Sequence, residues 1–60
     1  MGKKYKVEQD GQFLGHHRAN TPQQAVEKAL STYGPFYSIN INNSFKVSRG
    51  QQNFNVLMEG

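Results

Sequence analysis

Hydrophobic and polar residues alternate with period two near both ends of the chain and with a helical period in its middle. From Lys3 to Gln9, Tyr5 and Val7 alternate with Lys4, Lys6 and Glu8, which predicts a half-buried strand. Gln9-Asp10-Gly11 reads as a turn and Gln12 to Ala19 as the returning strand, with Phe13, Gly15, His17 and Ala19 on one face. A two-residue loop at Asp10-Gly11 would set Val7 against Leu14 and turn Phe13 out beside Lys6 and Glu8. A three-residue loop, with Gly11 left-handed, pairs Val7 with Phe13 and Tyr5 with Gly15, and gathers the large apolar groups on one side. The longer loop is therefore expected, with Tyr5 lying over the bare Gly15 and Leu14 facing outward among Lys4, Lys6, Glu8, His16 and Arg18.

The middle of the chain predicts a helix over Pro22 to Tyr33. Thr21 is a good N-cap, Pro22 suits the first helical position, and Gln24 completes a capping box. Ala25, Val26, Ala29, Leu30 and Tyr33 form one apolar stripe. Gly34 ends the helix and Pro35 blocks its return. Beyond it, Ile39 and Ile41 alternate with Asn40 and Asn42 as a short strand would. Phe45 to Arg49 and Phe54 to Met58 predict a second hairpin around the loop Gly50 to Asn53, with Val47 opposite Val56 and Phe45 opposite Met58. The expected order is β-β-α-β-β-β over a single domain, residues 1–60: an α+β fold with one helix on a curved antiparallel sheet.

Size and charge narrow the function. At 60 residues the core is small, since such a domain hides only about 60% of its unfolded surface. The absence of cysteine fits a reducing compartment, so a cytoplasmic location is expected. The basic N-terminus is followed by no apolar run of signal-peptide type, and no stretch is apolar enough for a membrane span. The carboxylates Glu8, Asp10, Glu27 and Glu59 are spread so that no pair shares acid and base roles, and no thiol nucleophile exists. An enzyme is not expected, nor a cofactor. His16 and His17 adjoin on a strand and so point to opposite faces, which does not make a metal site.

A net charge of +3 and a pI near 9.5 leave one chemistry open. Lys4, Lys6, His16 and Arg18 share the outer face of the first hairpin, Lys3 lies at its end, and Lys46 and Arg49 lie on the second hairpin. Such a spread can neutralise phosphates, the main affinity term in non-specific nucleic-acid binding. Duplex DNA, bound through this Lys/Arg face without sequence preference, is thus the first expected partner, with RNA second. A non-catalytic protein–protein module, such as a regulator or inhibitor of viral or mobile-element origin acting in the host cytoplasm, is the alternative. Tyr37 and Leu14, the apolar groups without an obvious place in the core, would mark its surface. A monomer or weak dimer fits either reading.

The run Tyr5-x-Val7, Asp10-Gly11, Gly15, Pro22-x-Gln24-Ala25-x-x-Lys28-Ala29 resembles the start of the archaeal non-histone chromosomal proteins, small DNA-bending proteins of methanogens and halophiles. Phe45-x-Val47-x-Arg49-Gly50 and Phe54-x-Val56 are similar to that family's final hairpin. The resemblance implies a pseudo-barrel of two sheets with one helix. It also implies a nucleoid-associated monomer that binds and bends duplex DNA with little sequence preference. Arg49 matches one of the family's basic positions, and Lys3 or Lys4 stands at the N-terminal one. The chain departs from the pattern at Gln23, Gln51 and Gln52, where the family is basic, and it has no Trp.

Overall fold

The computed structural model describes residues 2–34 and 37–58. Strands β1 (Lys3–Gln9) and β2 (Gln12–Ala19) are followed by helix α1 (Pro22–Tyr33), then β3 (Phe45–Arg49) and β4 (Gln52–Val56). The four strands form one open antiparallel sheet in the order β2-β1-β3-β4, and the helix lies across one face of it, touching every strand. The fold is α+β as expected. Its sheet is single and open, where the chromosomal-protein resemblance implied two sheets closed into a pseudo-barrel.

The helix forms where its signals lie. Thr21 has extended backbone and its Oγ1 accepts the Gln24 N–H at 3.2 Å, while Gln24 Oε1 reaches back to accept the Asn20 N–H at 3.1 Å. At the other end Gly34 closes the last turn in right-handed conformation, donating to the Leu30 carbonyl at 2.9 Å. Ala25, Val26 and Ala29 are buried against Tyr5, Val7, Leu14, Phe45 and Val47. Pro35 and Phe36 lie outside the described residues.

Both hairpins differ from expectation in register. Gln9 pairs with Gln12, so the first loop is the two-residue Asp10-Gly11 turn, with φ of 50° and 80° at its two positions. Glu8 then opposes Phe13, but Lys6 opposes His16: β2 carries one extra residue here, a β-bulge at Leu14-Gly15. The bulge turns both Leu14 and Gly15 inward. Leu14 is fully buried and Phe13 is 48% exposed, the reverse of the sequence-based expectation. From His16 onward the strand regains the expected alternation, because the bulge absorbs the one-residue difference.

The bulge requires glycine. Gly15 has φ +88°, where a Cβ is strained, and that Cβ would sit 2.7 Å from Tyr33 Oη and 3.1 Å from His17 Nε2. The group over Gly15 is thus Tyr33, not Tyr5. Tyr33 is itself held, stacked on Tyr37 at 5.4 Å between centroids and met edge-on by His17 at 6.0 Å. Gly15→Ala is expected to cost about 1–3 kcal/mol, read as a lower denaturation midpoint in urea. A midpoint equal to that of the parent protein would mean that the bulge relaxes without penalty.

In the second hairpin Arg49 pairs with Gln52 across a Gly50-Gln51 turn, Val47 with Phe54 and Phe45 with Val56. This is a slip of two residues from the expected pairing, so the inward face is unchanged.

The strand expected at Ile39–Asn42 is a turn. Asn40 Oδ1 accepts the Asn42 N–H at 2.9 Å, and the Asn40 carbonyl accepts the Asn43 N–H at 3.1 Å. Gln9, buried at the end of β1, fixes this turn from the other side. Its Nε2 donates to the Asn40 carbonyl at 2.7 Å and to the Asn43 carbonyl at 3.3 Å, and its Oε1 accepts the Asn40 N–H at 3.1 Å. Gln9→Glu replaces the donor with a carboxylate facing two carbonyl oxygens. It should cost about 1–3 kcal/mol and speed hydrogen exchange at the Asn40 amide; unchanged exchange there would show that the clamp does not hold the turn.

Candidate nucleic-acid interface

Alternation along the strands sorts the charged residues by face. The helix covers the side that carries Tyr5, Val7, Leu14, Phe45 and Val47. The opposite side bears three cross-strand rows. Arg18 pairs with Lys4 in the first; His16, Lys6, Ser48 and Asn53 make the second; Phe13, Glu8, Lys46 and Asn55 make the third. No described element lies over these rows.

Four of the chain's seven Lys and Arg residues therefore converge on this face, Lys4, Lys6, Arg18 and Lys46, and all are exposed. His16 joins them, and Glu8 is the carboxylate among them. Ser48, Asn53 and Asn55 complete the surface with neutral donors and acceptors.

The other two expected contacts are placed differently. Lys3 and Arg49 are exposed, but by alternation they belong to the helix side of the sheet, at the end away from the Asp10-Gly11 turn. Arg49 Nη1 donates to Gln52 Oε1 at 3.3 Å. They border the uncovered face without sharing it. Lys28, on the helix, donates its ammonium to the Arg18 carbonyl and ties α1 to β2.

The two histidines face opposite ways, as alternation requires. His17 is half-buried and its Nε2 lies 2.6 Å from the Leu14 carbonyl; since a carbonyl only accepts, Nε2 carries the proton. His16 is exposed on the uncovered face. Among the described residues no three His, Cys, Asp or Glu side chains are grouped to hold a metal ion, and no helix is long and apolar enough to cross a membrane. Glu59 lies outside the described residues.

Sequence reasoning missed Phe13. Its ring projects from the uncovered face, with the Lys6 ammonium 5.9 Å from its centroid and the His16 imidazole edge-on at 5.4 Å. The signal was present: Asp-Gly is a strong mark of a two-residue hairpin turn, and that turn puts Phe13 beside Lys6 and Glu8. Tyr37 is 41% exposed and rests on Tyr33, and Leu14, the other residue without an expected place, is core. No protein-family model, curated protein or solved structure matches the chain.

Proposed function

We propose that the protein binds nucleic acid, without sequence preference, through the uncovered face of its sheet. The observation that carries this reading is the gathering of Lys4, Lys6, Arg18 and Lys46, with His16, on the one face that the helix leaves open, against a single carboxylate there among the described residues, Glu8. Cations on alternate positions of three adjacent strands present a grid of positive charge to a phosphate backbone. The likeness of the helix start and last hairpin to archaeal chromosomal proteins points the same way.

The test is fluorescence anisotropy of a labelled mixed-sequence 20-mer duplex at about 50 and 200 mM salt. Four phosphate contacts give a log–log slope near −3.6, so affinity should fall about 100-fold over that range. Binding that ignores salt, or failure to bind both this duplex and a single-stranded 20-mer at the lower salt, would reject the reading.

A further inference from the structure

Resting on that reading, we infer that the polynucleotide this face takes is single-stranded, with an unpaired base stacked on the ring of Phe13. Phe13 is 48% exposed on the edge strand β2, beside Lys6 and His16 and directly opposite Glu8, and the bulge at Leu14-Gly15 sets it outward while the neighbouring Leu14 goes to the core. An aromatic ring beside cations supplies both parts of single-strand recognition, a π-face for the base and charge for the backbone. Lys6 and His16 stand beside the ring, and Lys4, Arg18 and Lys46 continue the charge along and across the strands.

Dimensions argue against the bases of a duplex. Four strands spaced about 4.8 Å apart span about 14 Å between outer axes, before side chains are added. The major groove, about 12 Å wide, admits a helix or a two-stranded ribbon. Phe13 lies in a row that crosses all four strands, so β3 and β4 accompany it. A duplex can lay its phosphates on this face, but its stacked bases stay out of reach of the ring. A single strand can turn its bases onto it.

The test compares the parent protein with Phe13→Ala and Phe13→Leu on labelled 20-mers of deoxythymidine, of uridine, and of mixed-sequence duplex. Because Phe13 is exposed, both variants should fold, which circular dichroism checks. Both should bind the single strands about 10-fold more weakly or worse, with duplex affinity changed less than about 2-fold. Comparison of the deoxythymidine and uridine strands shows whether the sugar matters. The chain has no Trp, so Phe13→Trp adds a lone indole, excited selectively over the three tyrosines, whose emission should be quenched when a base stacks on it. Single-strand affinity that survives both truncations, or unquenched emission at saturation, overturns the inference and leaves the phosphate-binding face intact. Equal loss on duplex and single strand overturns it too. Failure of the parent protein to bind any of the three at 50 mM salt rejects the underlying reading, and this one with it.

Discussion

Leu14→Ala should leave little folded protein, whereas the change next to it, Phe13→Ala, should leave stability nearly untouched. Leu14 is fully buried beneath the helix and ranks with Phe45 among the largest side chains so enclosed. Truncating such a group costs about 2–5 kcal/mol, the lost transfer energy plus that of the cavity left behind. A chain of 60 residues has only about 3–9 kcal/mol in total. Much of the population should therefore be unfolded at 25 °C, or should unfold at a small fraction of the parent's urea midpoint. Phe13 is half exposed and its ring touches Lys6 and His16 rather than the core, so its loss should change stability by no more than about 0.5 kcal/mol. The opposite ranking would mean that β2 runs without its bulge, with Phe13 inside.

The second large effect concerns the open face. Lys4, Lys6, Arg18 and Lys46, all changed to Gln, should abolish detectable binding of nucleic acid at physiological salt. Each lost phosphate contact removes about 0.9 from the salt slope, so four contacts remove nearly all of it. Single changes, Lys6→Ala or Arg18→Ala, should each remove about one contact and weaken binding evenly across sequences. The four side chains are exposed and none faces the helix, so the quadruple variant should fold as the parent does. A matched change of Lys3 and Arg49, which lie off this face, should have a smaller effect on affinity. If Lys3 and Arg49 mattered more, the binding surface would be the end of the sheet.

How far the sequence showed this structure depends on where each signal resides. The helix was legible to its termini because Thr21, Pro22, Gln24 and the apolar stripe act within a turn or two of themselves. Strand positions were legible by alternation, and so was the placing of Lys4, Lys6, His16 and Arg18 on one face. Register was not. In the second hairpin a slip of two residues leaves every face unchanged, so alternation cannot detect it. In the first, alternation disfavours the two-residue turn because it sends Phe13 out; only the bulge at Gly15 reconciles that turn with an apolar far half of β2. That bulge is stabilised by Tyr33, distant in sequence and close in space. Ile39 and Ile41 looked like a strand, but Gln9 holds their neighbours Asn40 and Asn43 in a turn, again through contacts that no local pattern records. The same fault hid Phe13 from the candidate site: the basic half of the surface could be read from alternation, and the aromatic half required the bulge.

The two-layer arrangement has an evolutionary consequence. Within each strand, residues that hold the helix and residues on the uncovered face occupy alternate positions. Substitutions can then accumulate on the outer rows without disturbing the inner ones, and the chemistry of the open face can change while the architecture stays. The inner positions are held more tightly, Gly15 by its backbone and Gln9 by its hydrogen bonds to Asn40 and Asn43. The sheet thus separates two demands, one face answering to folding and the other free to answer to its surroundings.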